Sequence, residues 1–428
     1  METIIPKIQQ RAATTLPRFL HWLLRKQLLR ALKNLPWGNI VILEGNERFT
    51  PGNSEKNYGP QAIITVHDPY FYTYVSFGGS VGAGQAYFLG LWDTDNLTNL
   101  MRILARNRDR LDKLETGFAR ISGPLYKFFH RRRENNQEGS RKNISAHYDL
   151  GNNFFGLFLD PTMMYSSAIF PNEQTSLEEA QIARLDHICR KLELSQHDRV
   201  IEIGTGWGGF ALHAARNYGA YVTTTTISRE QYEHARLRVR EAGLEDRITV
   251  LCKDYRELEG QYDKLVSIEM IEAVGHKYYD TFFKKCSTLL EPNGQMLLQA
   301  ITIEDHRYER AKRNVDFIQR FIFPGSCIPS VAAMMDSVAR ATDLHLFHLE
   351  DIGPHYATTL RHWRERFTAN SEKIRKLGFS GEFMRMWEFY LCYCEGGFAE
   401  RAIGDAHLLL TKPLCRRAPL LVNITPAP

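Results

Sequence analysis

Residues 200–209 read Val-Ile-Glu-Ile-Gly-Thr-Gly-Trp-Gly-Gly, and this stretch decides the fold of the larger part of the chain. An apolar run that ends in glycines and leads into a helical pattern is typical of a strand, turn and helix in a doubly wound α/β domain. Glycine lets the backbone turn sharply and approach a ligand closely at the carboxyl end of the strand. The stretch therefore predicts a small-molecule site at Gly204 and Gly206.

The glycines alone do not choose between two kinds of cofactor. Gly204, Gly206 and Gly209 also match the G-x-G-x-x-G pattern of dinucleotide sites. Glu202 lies two residues before the first glycine, where an acid suits a ligand with an α-ammonium group and disfavours a pyrophosphate. A nicotinamide site also needs an acid at the end of the second strand, and residues 224–228, Thr-Thr-Thr-Ile-Ser, contain none. The residues favour S-adenosylmethionine, while a nicotinamide-dependent oxidoreductase stays open as the alternative.

The segments around this turn alternate between helical and strand patterns. Such alternation is typical of a mostly parallel sheet with helices on both faces. Two later apolar runs, Leu344–Leu349 and Ala406–Leu410, are expected to close the sheet, with helical insertions at about 304–340 and 355–400. The alternating elements are expected at Leu177–Leu194 (helix), Arg199–Ile203 (strand), Phe210–Tyr218 (helix), Tyr221–Ile227 (strand), Ser228–Ala242 (helix), Ile248–Cys252 and Lys264–Ile268 (strands), Val274–Leu290 (helix) and Gln295–Ile301 (strand).

The N-terminal segment is basic and amphipathic. From Met1 to Pro36 the only acid is Glu2, against seven basic residues. Leucines recur at helical spacing between Leu16 and Leu35, which predicts an amphipathic helix. Such a helix lies in an anionic membrane surface, or it packs against its own domain or a partner subunit. Both interpretations stay open.

Residues up to about 125 predict a small α+β domain. Residues 126–144 are basic, include three successive arginines and lack an apolar period, which indicates a linker. No aromatic-interleaved pattern or nucleic-acid module accompanies them, so we expect no nucleic-acid partner. The small domain is expected to contain strands at Asn39–Glu44 and Ala62–Val66, a glycine-rich loop with Gly78, Gly79, Gly82 and Gly84, and a helix at Leu97–Leu114.

The composition is that of an ordinary globular protein. Of the 428 residues, 43% are hydrophobic and 24% are charged, with a formal net charge of +5. No run of about 18 apolar residues predicts a membrane-spanning helix, and the N-terminus lacks a signal-peptide pattern. Seven cysteines, without a C-x-x-C pair, argue against a disulfide framework and indicate reduced thiols in a cytosolic protein. We assign no metal ligand, and a homodimer stays open.

Four further motifs are dispersed in order along the chain. They are His-Tyr-Asp-Leu-Gly-Asn at 147–152, Tyr-Ser-Ser-Ala at 165–168, Phe-Ile-Phe-Pro-Gly at 321–325 and Tyr-Cys-Glu-Gly-Gly-Phe at 393–398. With the glycine turn they make the chain resemble the cyclopropane-fatty-acyl-phospholipid synthase family from about residue 145 to residue 413. The resemblance implies a Rossmann-like class I methyltransferase domain with helical insertions at 145–428. A small α+β N-terminal domain at 1–125 and the linker at 126–144 precede it.

The resemblance also implies which residues bind S-adenosylmethionine. They fall in a lid over the methionine part, in the glycine turn, beside the ribose and beside the adenine. Tyr148 and Tyr165 as core aromatics, Thr226 as a strand residue and Asp254 as a turn residue stay open as structural alternatives. The expected residues are Tyr148, Tyr165 and Ser166 in the lid, Glu202, Gly204 and Gly206 at the turn, Thr226 and Gln231 at the ribose, and Asp254 and Tyr255 at the adenine.

The implied chemistry explains which side chains the site needs. An alkene is a weak nucleophile, so methyl transfer from a sulfonium leaves a carbocation that the site must stabilise, shield from water and deprotonate. The resemblance implies that Glu272 helps to hold a bicarbonate ion, which acts as the general base. It also implies that Tyr356 completes this anion site. Cys394 matches a cysteine that is a catalytic candidate. A helix-start acid, a core aromatic and a buried thiol are their respective structural alternatives.

Two positions depart from the family pattern. Many members have cysteine where this chain has Ser167, and histidine where it has Gln299. Serine can still present its backbone to an anion. Glutamine donates a hydrogen bond but cannot carry a proton, which puts ring closure in question. A methyl-branched or methylidene product therefore stays open beside the cyclopropane.

The sequence thus predicts an S-adenosylmethionine-dependent methyltransferase that acts on the double bond of an unsaturated phospholipid acyl chain. We expect it in the cytoplasm, peripherally bound to the inner face of the membrane through the basic N-terminal helix. The helical insertions are expected to build the acyl-chain pocket. A methyltransferase for a small soluble metabolite and a catalytically inactive lipid-binding protein remain as rivals.

Overall fold

The strands of this chain belong to two sheets. The computed structural model describes residues 18–33, 35–51, 58–114 and 150–420. Within these ranges the strands are β1 Asn39–Glu44, β2 Glu47–Phe49, β3 Gln61–Val66, β4 Trp92–Thr94, β5 Arg199–Ile203, β6 Tyr221–Thr225, β7 Ile248–Leu251, β8 Tyr262–Ile268, β9 Leu290–Ile303, β10 His345–Asp351 and β11 Ile403–Thr411. One sheet has the order β2-β1-β3-β4, and the other has the order β10-β11-β9-β8-β5-β6-β7.

Helices precede, connect and follow these strands. In the described residues the α-helices are α1 Arg18–Ala31, α2 Tyr70–Phe88, α3 Leu97–Arg106, α4 Arg108–Leu114, α5 Asn152–Phe155, α6 Leu177–Lys191, α7 Gly209–Tyr218, α8 Arg229–Glu241, α9 Ile271–Val274, α10 Tyr279–Leu289, α11 Asp305–Ala311, α12 Val331–Ala341, α13 Gly353–Ala369, α14 Ser371–Lys376 and α15 Gly381–Ala399.

The seven-stranded sheet is the predicted α/β core. Strand β5 lies between β6 and β8 and runs parallel to both, so the winding of the chain reverses at β5. Ligands bind beyond the carboxyl ends of the strands at such a switch point. Val200 and Ile201 of β5 are fully buried, as expected where both faces of a central parallel strand are covered. The predicted alternation and the closing strands, now β10 and β11, are confirmed.

Two of the predicted helices are interrupted. The segment predicted as one helix from Val274 to Leu290 breaks at Gly275, which has a φ of 82° and separates α9 from α10. The pattern from Leu97 to Leu114 breaks at Asn107, whose side-chain amide donates to the carbonyls of Trp37 and Ile103 at 2.7 and 2.8 Å. Hydrophobic spacing continues across a short break of this kind, so it did not reveal either one.

The glycine-rich loop predicted at Gly78–Gly84 is wrong. These glycines lie inside α2, which bends at Gly79 (φ 54°). A Cβ on Gly82 would lie 1.9 Å from the carbonyl oxygen of Tyr74, and one on Gly84 would lie 2.3 Å from the ring of Phe317. The glycines therefore serve close packing of a bent helix, and tertiary contact overrides their low helix propensity.

The chain divides into two compact units that interleave along the sequence. The first unit combines Met1–Pro161, His306–Cys327 and Gly353–Gly404, and the second combines Thr162–Asp305, Ile328–Ile352 and Asp405–Pro428. Much of the inserted helical sequence therefore belongs with the N-terminal elements. The predicted domain boundary near residue 125 and the linker at 126–144 lie outside the described residues and stay predictions.

Within the first unit, the inserted helix α15 packs against α2 and α3. The rings of Tyr87 and Phe389 lie 5.6 Å apart, and the Arg385 guanidinium donates to the carbonyl of Tyr87 at 2.8 Å. A Cβ on Gly396 would lie 2.7 Å from Met101. Aromatic side chains of the insertion at 355–400, which was expected to build the acyl-chain pocket, are buried in this packing, Phe389 among them. They form core in this unit, and their role in a pocket stays a prediction.

Helix α1 has a packed face and an exposed face. Leu24 is 1% exposed, and Arg25 forms ion pairs with Glu44 and Glu47 at 3.0 and 2.9 Å. Phe19, Trp22 and Leu23 are 68%, 46% and 43% exposed. The expected amphipathic helix therefore packs on its own unit and still presents apolar side chains outward. In the described part of the chain, no helix combines the length and apolarity that crossing a bilayer requires.

Candidate active site

The turn after β5 leaves an open position above its glycines. Gly204 and Gly206 have φ values of 104° and 51°, which L side chains rarely adopt. The N–H groups of Gly204 and Thr205 both donate to the carbonyl of Thr225, at 3.1 and 3.0 Å, and fix the turn against β6. Apart from Gly206 itself and its two chain neighbours, no heavy atom of the described residues lies within 4 Å of the place that a Cβ on Gly206 would take. The backbone at Gly206 is therefore open to a ligand, and the predicted binding role of Gly204 and Gly206 stays a prediction.

Glu202 lies buried in β5, beneath this turn. Its carboxylate accepts a hydrogen bond from Thr224 Oγ1 at 2.6 Å, and Thr224 Oγ1 lies 2.7 Å from Thr205 Oγ1. Burial raises the pKa of Glu202 to about 8. A cationic group beside this carboxyl would lower the pKa and gain a charge-assisted hydrogen bond. The predicted role of Glu202 as the partner of an α-ammonium group stays a prediction.

The positions predicted to border ribose and adenine lie at neighbouring strand ends. Thr226 follows β6, and its hydroxyl donates to Gln231 Oε1 at 2.9 Å. Asp254 follows β7 and accepts hydrogen bonds from the N–H and the guanidinium of Arg256, at 2.9 and 3.0 Å, which makes it a turn residue. Tyr255 is buried, and its hydroxyl has no hydrogen-bond partner among the described residues. These four residues share one edge of the sheet with the glycine turn, and their contact with a ligand stays a prediction.

The lid predicted over the cofactor is described in part. Tyr148 lies outside the described residues, and Tyr165 is half-buried. Ser166 is buried, its hydroxyl accepts from the guanidinium of Arg184 at 2.9 Å, and its carbonyl accepts from Gln181 at 2.9 Å. Helix α6 thus holds this segment in place through two buried polar side chains.

Two acids follow β8 on one short segment. Glu272 is 8% exposed, and its Oε1 accepts the N–H of Ile301 at 2.6 Å, while its Oε2 has no hydrogen-bond partner among the described residues. Burial, and then the charge of Glu269, raise the pKa of Glu272 to about 8. Met270 lies between the two acids in sequence, and a Cβ on Gly204 would lie 3.3 Å from its side chain. The acids therefore lie beside the glycine turn.

Glu269 is joined to both positions that depart from the family pattern. Its Oε1 accepts the backbone N–H of Ser167 at 2.8 Å and the amide of Gln299 at 2.8 Å. The hydroxyl of Ser167 donates instead to the carbonyl of Ala168 at 3.1 Å. As expected from sequence, Ser167 presents its backbone and Gln299 donates a hydrogen bond. The family resemblance implied Glu272 as the catalytic acid, and Glu269 is the acid that contacts Ser167 and Gln299.

Sequence reasoning missed Asp405 and His407. Both are fully buried in β11, next to β9. The amide of Gln299 donates to Asp405 Oδ2 at 2.9 Å, and its carbonyl oxygen lies 3.2 Å from His407 Nε2. An acid and a histidine in and beside the apolar run Ala406–Leu410 were the available signal, since polar residues rarely sit in a buried strand without a partner.

The other two predicted catalytic residues lie in the first unit. Tyr356 of α13 is buried and stacks on Phe398 with ring centroids 4.3 Å apart, which is the packing expected of a core aromatic. Cys394 lies on α15, and burial raises the pKa of its thiol well above the usual range. The thiol is therefore protonated at neutral pH, and only the thiolate is a strong nucleophile. The catalytic roles of both residues stay predictions.

One further cluster has the composition of a metal site. His187, Glu350 and His407 place one nitrogen or oxygen each within 4.8 Å of one another. Lys191 Nζ lies 2.5 Å from Glu350 Oε2, the oxygen that also meets His187 Nε2 at 2.7 Å. This carboxylate oxygen already has a cation beside it, so the cluster is an ion-pair network rather than a metal site.

Comparisons with known proteins agree with the fold and the glycine turn. Residues 135–408 match the family described as mycolic acid cyclopropane synthetase. The chain is 38% identical over 327 residues to tuberculostearic acid methyltransferase UfaA1 of Mycobacterium tuberculosis, which spans 75% of this chain and 76% of that protein. It is also 38% identical over 366 residues to cyclopropane-fatty-acyl-phospholipid synthase of Escherichia coli, spanning 84% of this chain and 90% of that protein.

A solved structure extends the similarity to three dimensions. Mycolic acid cyclopropane synthase CmaA1, complexed with SAH and CTAB, superposes with a TM-score of 0.60 at 31% identity over 64% of this chain and 98% of that chain. A relative that binds SAH supports S-adenosylmethionine and sets aside the nicotinamide alternative. The chain therefore belongs to the mycolic acid cyclopropane synthetase family and is an S-adenosylmethionine-dependent methyltransferase.

Proposed function

We propose that this enzyme transfers the methyl group of S-adenosylmethionine to the double bond of an unsaturated phospholipid acyl chain, and that loss of a proton then closes a cyclopropane ring. The observation that carries the proposal is the position of Glu269 and Glu272 beside the glycine turn. Methyl transfer to an amine or hydroxyl uses a lone pair and leaves no carbocation. Transfer to an alkene does, and an ionised carboxylate fixed in a buried site, the role we give to Glu269, stabilises it.

The residues around the turn would divide the work of binding the co-substrate. Glu202 would meet the ammonium group, and Gly204 and Gly206 would let the backbone approach the methionine part. Thr226 and Gln231 would border the ribose. On the other side, Glu272 would face the reacting carbon with the carboxyl oxygen that has no hydrogen-bond partner among the described residues. A role for Tyr356 rests on the family resemblance alone, and the proposed chemistry gives Cys394 no step.

An acyl-lipid substrate is supported by the relatives. The E. coli relative, 38% identical over 84% of this chain, is named for a phospholipid product. Such a substrate is taken from a membrane, and α1 offers a surface for it. Phe19, Trp22 and Leu23 are exposed, and Lys26 lies 4.7 Å above the ring of Trp22. We propose peripheral binding at the inner face of the membrane, with the protein in the cytoplasm.

A methyl-branched or methylidene product is the second candidate. Gln299 favours it, since an amide cannot carry a proton. Tuberculostearic acid methyltransferase, which is named as a methyltransferase and not as a cyclopropane synthase, is as similar to this chain as the E. coli relative is. Both products need the same methyl transfer and differ in which C–H bond is broken afterwards.

The test incubates purified protein with S-adenosylmethionine and vesicles of a monounsaturated phospholipid. Mass spectrometry measures the added mass, and proton NMR separates ring protons from alkene protons, because the ring and methylidene products are isomers. Added mass with ring protons supports the first proposal. Added mass with a surviving alkene selects the second, and no added mass contradicts both.

A further inference from the structure

The carboxylate of Glu269 already accepts the hydrogen bonds that an external anion was expected to accept. The family resemblance assigns Ser167 and Gln299 to a bicarbonate site, and here both donate to Glu269 Oε1 at 2.8 Å. The second acid of the segment, Glu272, accepts the N–H of Ile301 at 2.6 Å. A bicarbonate ion at these donors would displace or adjoin a carboxylate of the same sign of charge. The residues present do not fit it.

The backbone of Glu269 is held in an unusual conformation. Its φ is 48°, in the left-handed region that few residues other than glycine, asparagine and aspartate adopt. Its N–H donates to the carbonyl of Gln299 at 2.8 Å, which fixes the residue at the end of β8. Strained positions of this kind persist where surrounding contacts enforce them, and they concentrate at functional sites. This backbone conformation directs the Glu269 carboxylate toward the N–H of Ser167 and the side-chain amide of Gln299.

Asp405 shares the side-chain amide of Gln299 with Glu269. Burial, and then the charges of Glu269 and Glu272, raise the pKa of Asp405 well above its usual range. Asp405 is fully buried, its Oδ2 accepts from Gln299 at 2.9 Å, and its Oδ1 has no hydrogen-bond partner among the described residues. Two carboxylates that accept from one amide nitrogen repel each other, so a protonated Asp405 favours the charged form of Glu269.

Gln299 and His407 orient the two acids, Glu269 and Asp405. One amide group donates to both Glu269 and Asp405, and its carbonyl oxygen lies 3.2 Å from His407 Nε2. Burial lowers the pKa of His407 well below its usual range, so the ring is neutral. A neutral imidazole that donates from Nε2 fixes the amide with its nitrogen toward the acids. Gln299 is thus a positioning residue that needs no proton of its own.

We propose that Glu269 is the proton acceptor of this site, positioned by Asp405 and Gln299, and that it replaces an external bicarbonate ion. The inference rests on the proposed methyl transfer to an alkene. In that transfer the carbon–sulfur bond breaks with its electron pair on sulfur, and the alkene electron pair forms the new carbon–carbon bond. A C–H bond of the cation then breaks, its electron pair closes the ring, and the proton passes to the Glu269 carboxylate. Release of product returns this proton to water.

The test compares the full-length protein with Glu269→Gly and Glu269→Gln in buffer freed of carbon dioxide under argon. Glycine suits the φ of 48° and opens space, so it preserves the fold, while glutamine fills the space without a basic oxygen. Glu230→Gln, an exposed acid on α8, is the matched control. The readouts are S-adenosylhomocysteine formed with monounsaturated phospholipid vesicles, lipid mass and the thermal midpoint.

Wild type and the control should turn over equally with and without bicarbonate, within about 2-fold. Both Glu269 variants should lose about 100-fold or more, the scale of a general base. Added bicarbonate should restore Glu269→Gly, which has room for it, and leave Glu269→Gln inactive. Wild-type turnover that requires bicarbonate, or a folded Glu269→Gly that is fully active without it, overturns this inference alone. Absence of lipid turnover by wild type in either buffer overturns the proposed function and this inference with it.

Discussion

Two hydrogen bonds join Glu269 and Gln299. The backbone N–H of Glu269 donates to the carbonyl oxygen of Gln299 at 2.8 Å, and the side-chain amide of Gln299 donates to the Glu269 carboxylate at 2.8 Å. The register that pairs Ile268 with Gln299 places Glu269, just past the end of β8, beside Gln299 within β9. The acid is therefore attached to the sheet itself, and the amide that holds it also reaches Asp405.

Replacing Gln299 by leucine should separate catalysis from cofactor binding. Leucine leaves Glu269 and Asp405 without their shared donor, and each buried polar group left unpaired costs about 1–3 kcal/mol. We expect a lower thermal midpoint and a turnover reduced by at least about 10-fold. Affinity for S-adenosylhomocysteine, measured by calorimetry, should stay within about 2-fold because the glycine turn is unchanged. Gln196→Leu, at an exposed position, is the control. If affinity for S-adenosylhomocysteine fell as much as turnover, Gln299 would not act on catalysis separately from cofactor binding.

The buried carboxyl of Glu272 predicts a pH-dependent stability. Its pKa is about 8 in the folded protein against a usual value of 4.5. Between these values the folded state keeps a proton that the unfolded chain has lost. This group therefore stabilises the fold less as pH rises, by at most about 1.4 kcal/mol per pH unit. Above pH 8 its effect levels off.

Glu272→Gln removes that titration and keeps an oxygen for the N–H of Ile301. The stability of the variant relative to wild type should therefore increase from pH 5.5 to pH 7.5. Urea unfolding at several pH values measures the difference. Glu230→Gln, at an exposed position, is the control measured in parallel. A constant difference for Glu272→Gln would mean that the carboxyl does not retain its proton.

The open position above Gly206 predicts that a methyl group added there weakens cofactor binding, while one added at Gly243 does not. Gly206 and Gly243 both have positive φ values, 51° and 64°, and the place of a Cβ is clear of other atoms at each. Alanine at either position should cost a similar amount of stability, about 1 kcal/mol. Only Gly206→Ala should weaken S-adenosylhomocysteine binding, by about 10-fold or more, because its methyl group enters the space left for the ligand. Equal affinities of the two variants would place the ligand elsewhere.

Cys394 should be dispensable for chemistry. Burial raises the pKa of its thiol, so little thiolate exists at neutral pH. The proposed proton transfer uses carboxyl groups and no sulfur nucleophile. We expect Cys394→Ala to keep turnover within about 3-fold of wild type under saturating substrate. A loss of 100-fold in a variant that keeps its thermal midpoint would give the cysteine a chemical role.

Local sequence predicted the parts of this molecule that depend on neighbouring residues. The strand Arg199–Ile203 was predicted with its observed bounds, because an apolar run ends at glycines that need positive φ. The helix capped by Ser228 was also predicted, since serine accepts the N–H of Gln231 at its first turn. Both signals lie within a few residues of the element they define.

Contacts distant in sequence could not be predicted in the same way. Gln299 meets Asp405 across 106 positions of sequence, and no local pattern announces which polar residue of β11 will pair with it. Gly84 suggested a loop, yet it lies in a helix because Phe317, far along the chain, packs where a Cβ would be. The site and the bent helix both depend on contacts between residues distant in sequence, which local sequence patterns do not reveal.

The exposed face of α1 gives the last prediction, which concerns the membrane. Deleting the N-terminal helix would be a poor test, because Leu24, at 1% exposed, is part of the core of the first unit. Replacing Phe19, Trp22 and Leu23 together by serine leaves that core in place and removes the outward apolar surface. We expect at least about 10-fold weaker binding to anionic vesicles and a thermal midpoint close to that of wild type.

The control for this surface is Leu237→Ser, an exposed leucine of α8 at 48% exposure. Vesicle sedimentation measures binding, and turnover on vesicles is compared with turnover on the same lipid in detergent micelles. If α1 delivers the enzyme to the bilayer, the triple variant should lose turnover on vesicles and keep it on micelles, where the lipid is accessible without docking. A triple variant that sediments with vesicles as well as Leu237→Ser does would show that α1 is not the docking surface.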